Sequence, residues 1–456
     1  MSVERVLPKT LDYTDVLPLA VESKARRRTF FPTNGATFAS DGANIIRIDL
    51  SADALLDTQH SYLRFTASID PTAAAGNSCG FDFAGGHSFI RRLRVEQSGT
   101  VLEDIQSYNR LMGAIVLPCM SGSDHKFTRT LTEGVRHNGG AAGAIATAVA
   151  ATVADAASTA RNLGLLNNAE NQIANAGTYT FCIPLTSGLL NCEKLVPLML
   201  MSAPLTIEIE MASQVQAVIQ SAGAVQYTIS DVRYVANLVE VGQDVAQQLR
   251  MLQEVSGGVL TLAGQTYRHF TGAVAATTSN TINVPARVKS MKSIFFASQG
   301  AGADARTTFD IGTGGHMNLN EYQVKIGSVT YPPTPVRCNG MAVGSTSEPL
   351  FELEKAWGNV GSRAGLGDAT QISTFYTQES ARALTGQVYR FAPFGLDMEA
   401  FQRVAIESGV NTADRSLPIS LILEHNGAPT ATTVDIYILA DALFYLNQDG
   451  SMSVSV

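Results

Sequence analysis

The feature that most constrains this 456-residue chain is a set of short motifs that occurs twice in the same order. Order is kept while the spacing drifts, as loop insertions would make it drift after a duplication. The matched pairs are 204–210 (PLTIEIE) with 418–424 (PISLILE), Asp231 with Asp441 in the long apolar strands that follow, and 85–87 with 314–316, both Gly-Gly-His. The repetition favours two copies of one folding unit.

The pattern predicts that each copy is a β-structure. Short runs of β-branched and aromatic residues alternate in polarity, and Gly, Pro, Asn and Asp bound these runs. The length suits two domains of roughly 200 residues each. We predict an all-β fold of two tandem eight-stranded jelly-roll sandwiches, with short helices in loops. The predicted strands are 44–50, 61–69, 88–97, 101–105, 178–184, 195–201, 205–211 and 225–241, then 281–284, 288–297, 322–329, 387–394, 418–424 and 434–446.

Between and around the strands lie segments of other character. Apolar spacing over 105–115 predicts a short helix, and Val245, Leu249 and Leu252 form a stripe that predicts another over 243–254. The predicted organisation is an N-terminal arm (1–29), a first jelly roll (30–241), a linker helix and turn (242–265), and a second jelly roll (266–456). The first jelly roll carries a predicted surface insertion at about 121–177, which is rich in Ala and Gly at 139–160.

Charge is scarce and negative overall. Asp, Glu, Lys and Arg make up 16% of the chain, against about 25% in an average soluble protein. A net charge of −8 argues against a protein that coats nucleic acid, because neutralising phosphates requires an excess of Lys and Arg. A surface of uncharged polar residues suits extended contacts between subunits.

One basic cluster stands near the N-terminus: Lys24, Arg26, Arg27 and Arg28. Two interpretations are open, a solvated arm before the first strand, or a contact with an inner membrane or a packaged genome. The beginning of the sequence lacks the apolar core of a signal peptide, so we expect assembly in the cytoplasm or the nucleus.

Motifs for catalysis or cofactor binding do not occur. Five cysteines include no C-x-x-C pair, seven histidines include no H-E-x-x-H, and neither a phosphate-binding loop nor a G-x-S-x-G elbow is present. The acidic pairs Glu103–Asp104 and Glu352/Glu354 could serve a glycosidase, but exposed charge at strand ends explains them better. We therefore predict no catalytic residue, no metal and no cofactor.

The order of several motifs is similar to that of double jelly-roll major capsid proteins, especially those of polinton-like viruses, virophages and adintoviruses. The second half is the weaker match. The motifs are NIIRIDL (44–50), SYLRF (61–65), GGHSFIRRLR (85–94), GTVLEDIQSYNRL (99–111), IPLTSGLL (183–190), KLVPL (194–198), FGLDMEAF (394–401) and SGVNT (408–412).

This resemblance implies a homotrimer with a pseudo-hexagonal outline, used as the capsomer of an icosahedral virion around double-stranded DNA. It also implies neighbouring capsomers, penton and minor capsid proteins as partners, no specific nucleic-acid sequence, and no enzymatic activity. The alternative is a double-sandwich glycan-active enzyme or lectin, which would need carboxylates that converge in a cleft.

Overall fold

Two β-sandwiches follow one another along the chain in the computed structural model. The structure describes residues 23–40, 42, 44–70, 79–82, 84–120, 132–134, 177–220, 226–299, 311–312, 314–339, 347–357, 393–400, 408–414 and 417–456.

The strands of the first sandwich lie between Ser23 and Val241. They are β1 (Ser23–Phe30), β2 (Thr37–Ala39), β3 (Ile45–Leu50), β4 (Leu55–Asp70), β5 (Cys79–Phe81), β6 (Ile90–Gln97), β7 (Thr100–Gln106), β8 (Gly177–Ile183), β9 (Val196–Pro197), β10 (Leu205–Met211), β11 (Val218–Gln220) and β12 (Gln226–Val241). One sheet has the order β1-β12-β4-β8, and the other has the order β3-β10-β6-β7. The short strands β2 and β9 extend the first sheet, and β5 pairs with β11.

The second sandwich begins after the linker helix. Its strands are β13 (Val259–Val274), β14 (Ser279–Asn283), β15 (Met291–Ser298), β16 (Leu319–Ile326), β17 (Val329–Arg337), β18 (Phe394–Asp397), β19 (Ile419–His425), β20 (Thr432–Asn447) and β21 (Met452–Ser455). The two sheets have the orders β13-β20-β15-β18 and β14-β19-β16-β17, and β21 pairs with β20.

Strand order is the same in the two sandwiches. Replacing β1, β12, β4 and β8 by β13, β20, β15 and β18 reproduces one sheet, and the facing sheets correspond in the same way. The repeated PLTIEIE and PISLILE motifs form β10 and β19, each an inner strand of its sheet. The prediction of two eight-stranded jelly rolls is confirmed.

Alternation along the strands builds the two cores. In β4, Leu63, Phe65 and Ala67 are buried while their neighbours are half-exposed, as a strand with one face on the core requires. Phe65 contacts Phe89 and Phe181 with ring centroids 6.0 and 5.5 Å apart. Fully burying each such side chain contributes about 1.5–3 kcal/mol.

The second core repeats this arrangement with other aromatic residues. Phe296 stacks on Phe394 at 5.1 Å, and Tyr322 meets both rings edge-on. The Tyr322 hydroxyl donates to the Gly395 carbonyl at 3.1 Å, which satisfies the polar end of a buried ring. These contacts join the sheet of β15 and β18 to the facing sheet of β16.

The helices in the described part of the chain are short and lie in the connections. They are α1 (Tyr108–Arg110), a π-helical stretch (Leu111–Val116), α2 (Leu117–Met120), α3 (Gln214–Ala217), α4 (Gln243–Val255) and α5 (Ser347–Ala356), with 3₁₀ turns at Gly85–Phe89 and Leu198–Leu200. Both predicted helices are present, and α4 ends before Gly257 and Gly258, which have positive φ. Among the described helices, none is long and apolar enough to cross a membrane.

Three predicted boundaries differ from the structure. Residues Ser23–Phe30, most of them assigned to an arm, form edge strand β1, paired along its length with β12. The second sandwich starts at Val259, before the predicted 266. The predicted strand 195–201 is only the two-residue β9 and a 3₁₀ turn, because Pro197 has no N–H to donate to a ladder.

The predicted insertion falls almost wholly outside the described residues. Its described part, residues 132–134, is not all on the surface as predicted, because Glu133 is buried and lies 3.0 Å from the Nε2 atom of His87. A Cβ atom on Gly134 would come within 2.5 Å of the Phe181 ring. This short piece therefore packs against the first sandwich.

Candidate functional site: the junction between the two sandwiches

A helical segment of the first sandwich lies against the second. Residues 108–119, which span α1, the π-helical stretch and most of α2, are buried almost throughout, and a helix that is apolar on all sides is typical of an interior position. A Cβ atom on Gly113 would approach Ile311 to 2.8 Å. This helical segment of the first sandwich therefore packs directly against the second sandwich.

Arg110 on this segment reaches into the second sandwich with its whole guanidinium group. Its Nε donates to Asp435 Oδ2 at 2.9 Å, Nη2 donates to the Ser298 carbonyl at 3.3 Å, and Nη1 donates to the Ile311 carbonyl. The Arg110 and Asp435 side chains are 9% and 2% exposed. A planar guanidinium suits such a site, because it binds several acceptors in fixed directions.

Asp435 on β20 has two further donors from its own sandwich. His269 Nε2 lies 3.0 Å from Oδ1, and Gln299 Nε2 donates to both oxygens at 3.2 and 3.1 Å. Burial by itself would raise the pKa of Asp435, but the charge of Arg110 and the hydrogen bond with His269 outweigh it and lower that pKa to about 2. The carboxylate is therefore held ionised inside the junction.

The two backbones also approach each other closely at a pair of glycines. A Cβ atom on Gly264 of β13 would lie 2.2 Å from the Gly188 carbonyl oxygen, and one on Gly188 would lie 2.9 Å from that of Gln265. Glu103 on β7 fixes the loop that carries Gly188, since its carboxylate accepts from the Gly188 N–H at 2.8 Å and from the Ser187 hydroxyl. Burial raises the pKa of Glu103, and these bonds oppose the rise.

A second set of hydrogen bonds joins β6 to the C-terminal turn. Gln97 donates from Nε2 to the Gly450 carbonyl at 3.0 Å, and its Oε1 accepts from the Met452 N–H at 2.6 Å. The Tyr437 hydroxyl of β20 donates to the Ser107 carbonyl at 3.0 Å. Backbone groups of each sandwich thus receive partners from side chains of the other.

Apolar packing continues across the same contact. One cluster of buried hydrophobic residues includes the first core together with Tyr267, Phe295, Trp357 and Phe444 of the second sandwich. Phe295 and Trp357 stack with their centroids 4.5 Å apart. An interface this apolar and this well connected holds two domains as one rigid unit.

The predicted basic residues lie elsewhere, on edge strand β1. Arg26 is 3.2 Å from Glu240 with 57% of its side chain exposed, Arg27 donates to the Tyr62 hydroxyl at 3.0 Å, and Arg28 lies over the Phe30 ring at 4.9 Å. Lys24 is exposed on the same face as Arg26 and Arg28. These four residues form what we call the basic edge, and they take no part in the junction.

The candidate carboxylates of the glycosidase alternative do not converge among the described residues. Glu103 is buried at the junction, so its assignment to exposed strand-end charge was wrong, whereas Asp104 binds Arg92 at 2.6 Å. Glu352 pairs with Lys355 on α5. The described part of the chain contains no group of three or more His, Cys, Asp or Glu suited to a metal ion.

Several histidines and cysteines are buried. The histidines are His87, His316 and His425. Cys119, Cys192 and Cys338 are buried free thiols, and burial raises the pKa of Cys119 to about 12. Sequence reasoning did not find Arg110, His269 or Asp435, because no local motif marks residues that pair across 325 positions.

Solved structures that match this chain include capsid proteins. The chain of the PBCV-1 virus capsid matches with a TM-score of 0.56 at 11% identity, over 97% of this chain and 99% of that one. The Faustovirus major capsid protein matches with a TM-score of 0.54 at 9% identity, over 97% of this chain and 93% of that one. The mavirus major capsid protein matches with a TM-score of 0.53 at 8% identity, over 100% of this chain and 96% of that one. No protein-family model and no curated protein matches the sequence. The chain has the double jelly-roll fold of these capsid proteins.

Removing the guanidinium at the junction should destabilise the whole chain. Arg110→Met leaves Asp435 as a buried charge without its cationic partner, which costs about 3–5 kcal/mol of the free energy of unfolding. The matched control is Arg91→Met, since Arg91 is 60% exposed in its 3.2 Å pair with Glu210, where loss of the pair costs less than about 1 kcal/mol. Urea unfolding measures both, and equal losses would contradict the assigned role.

Acid should weaken the junction in a defined range. The pKa of Asp435 is about 2 in the folded chain against an ordinary 3.8, so its stabilising effect is complete above about pH 4 and is lost as the pH falls through 2. The effect amounts to about 2 kcal/mol. In Asp435→Asn, the slope of unfolding free energy against pH between 4 and 2 should decrease. The exposed control Asp244→Asn should keep the wild-type slope, and an unchanged slope in Asp435→Asn would rule out this coupling.

Proposed function

We propose that this chain is the major capsid protein of a tailless double-stranded DNA virus. The observation that carries the proposal is the identical strand order of two eight-stranded sandwiches, joined by a buried junction into one rigid subunit. That fold is shared over nearly the full length with the Faustovirus and mavirus major capsid proteins. The chain itself supplies a structural unit and no catalytic turnover.

Symmetry explains how such a subunit can tile a closed shell. Three copies of a chain with two similar sandwiches place six similar units around a threefold axis, so a closed cyclic trimer has a pseudo-hexagonal outline. Its low content of charged residues, 16%, suits broad contacts with neighbours. The proposed partners are two further copies, neighbouring capsomers, and penton and minor capsid proteins. The proposed location is the virion, assembled in the host cytoplasm or nucleus.

The basic edge is the proposed point of contact with the inside of the particle. Lys24, Arg26 and Arg28 project from one face of an edge strand, and each is exposed. A row of cations on an exposed edge attracts a polyanionic surface such as an inner membrane or a packaged genome. It also protects the edge strand against unwanted pairing with other strands.

Stoichiometry in solution tests the proposal directly. We expect the purified 48.4 kDa chain to form a trimer of about 150 kDa, measured by light scattering after size exclusion. The glycan-active alternative predicts a stable monomer that binds or cleaves polysaccharides. A monomer at concentrations that favour association would therefore contradict the capsid proposal.

Charge removal tests the basic edge. Replacing Lys24, Arg26 and Arg28 together by Gln should weaken sedimentation with phosphatidylserine-containing vesicles or with double-stranded DNA. At about 1 kcal/mol for each cation, binding should weaken roughly 100-fold. The control replaces three exposed cations outside β1, namely Arg250, Lys325 and Arg337, by Gln. Equal weakening in both variants would mean that net charge, and not the basic edge, controls binding.

A further inference from the structure

A lysine is buried in the second sandwich between two carboxylates. Lys292 is 6% exposed on β15, and its Nζ atom lies 3.0 Å from Glu399 Oε1 and 3.4 Å from Asp441 Oδ1. The side chains of Glu399 and Asp441 are 8% and 6% exposed. Charged residues are rarely buried to this extent.

The backbone places the three groups on three adjacent segments. Lys292 stands at a register shift between β15 and β20, where two residues of β15 oppose one of β20, and such bulges redirect a side chain. Asp441 comes from β20 on one side, and its N–H donates to the Ser290 carbonyl at 3.1 Å. Glu399 comes from the segment after β18 on the other side, where the Met398 N–H donates to the Lys292 carbonyl at 2.7 Å.

Two serines hold the carboxylates in different ways. The Ser290 hydroxyl donates to Asp441 Oδ2 at 2.8 Å, the oxygen that does not contact Lys292. The Ser408 hydroxyl donates to Glu399 Oε1, the same oxygen that does contact Lys292. A donor on the far oxygen stabilises negative charge that develops there during attack at the carboxyl carbon. A donor on the near oxygen holds Glu399 in position beside Lys292.

We propose that Lys292 and Asp441 condense into an intramolecular isopeptide bond, with Glu399 as the group that carries protons. Burial favours this chemistry, because buried charges have lost their solvation and the neutral amide removes that cost. Holding the amine and the carboxyl together in one geometry replaces a collision between two molecules. The bond would link β15 covalently to β20.

The reaction balances with the groups present. A proton passes from the Lys292 ammonium to Asp441 Oδ1, and the freed Nζ lone pair then forms a bond to Asp441 Cγ while Oδ2 takes up negative charge beside Ser290. Glu399 removes a proton from the attached nitrogen and returns it to Oδ1. The Cγ–Oδ1 bond breaks, water leaves, and the carbonyl at Oδ2 forms again. The product is one amide, one water and an ionised Glu399, with the net charge unchanged.

Space for the released water exists next to the trio. A cavity of about 270 Å³ is lined by Lys292 and Glu399 together with residues of both sandwiches, among them Asn191 and Gln265. One water needs only about 10–15 Å³ of such space. The inference is independent of the proposed function, because it concerns a reaction of the chain with itself.

Mass spectrometry of the purified full-length chain tests the bond. The denatured wild-type chain should be lighter than its sequence by one water molecule. Trypsin should not cut after Lys292, because acylation removes the cation that trypsin recognises, and one branched peptide should contain both Lys292 and Asp441. Lys355 provides an internal control: it pairs with Glu352 at 3.0 Å with 34% of its side chain exposed, and cleavage after it should be complete.

Two variants assign the roles. Lys292→Arg and Glu399→Gln should both have the full sequence mass, and circular dichroism checks that each variant has folded. A wild-type chain with the full mass and normal cleavage after Lys292 would overturn the proposal. A branched peptide that joins Lys292 to Glu399, or complete bond formation in Glu399→Gln, would overturn the assignment of Asp441 and Glu399.

Discussion

The buried pair of Arg110 and Asp435 is the interaction on which the arrangement of the two sandwiches depends. Their contact at 2.9 Å lies where water is excluded, so neither charge is tolerated without the other. Arg110 stands on a helical segment that contains a π-helical stretch, and such departures from α-helix geometry often occur where function fixes a side chain. The close approach of Gly188 to Gly264 and the shared apolar cluster lie at the same junction.

The two sandwiches share a strand order and have diverged in chemistry. Asp231 and Asp441 lie in strands that hold the same place in their sheets, β12 and β20. Asp231 is paired with Arg64 and Arg233 near the surface, and their hydrogen bonds lower its pKa, whereas Asp441 is buried beside Lys292. The two sandwiches therefore share a strand order, while each has its own charged interactions. Such divergence suits a subunit whose two halves have similar outlines and different neighbours.

Sequence patterns predicted the inner strands well but missed the edge strands β1 and β13. β10 and β19 alternate in polarity and carry β-branched residues, so their pattern is clear. β1 is exposed along nearly its whole length, and a row of Lys and Arg gives no apolar alternation to detect. β13 contains Gly264 and Gly272, which resemble loop residues in sequence but allow close approach of Gly188 and Ile282 in the structure. The junction was beyond prediction, since its partners meet only after both sandwiches have folded.

In the proposed threefold capsomer, each chain contributes two sandwiches that are locked together. Cryo-electron microscopy of the assembled protein tests this arrangement most directly. We expect a particle with threefold symmetry and six lobes, each lobe a single eight-stranded sandwich, with the Arg110 helix between the two lobes of one chain. A particle in which each chain forms one lobe, or in which the two sandwiches of a chain are apart, would contradict it.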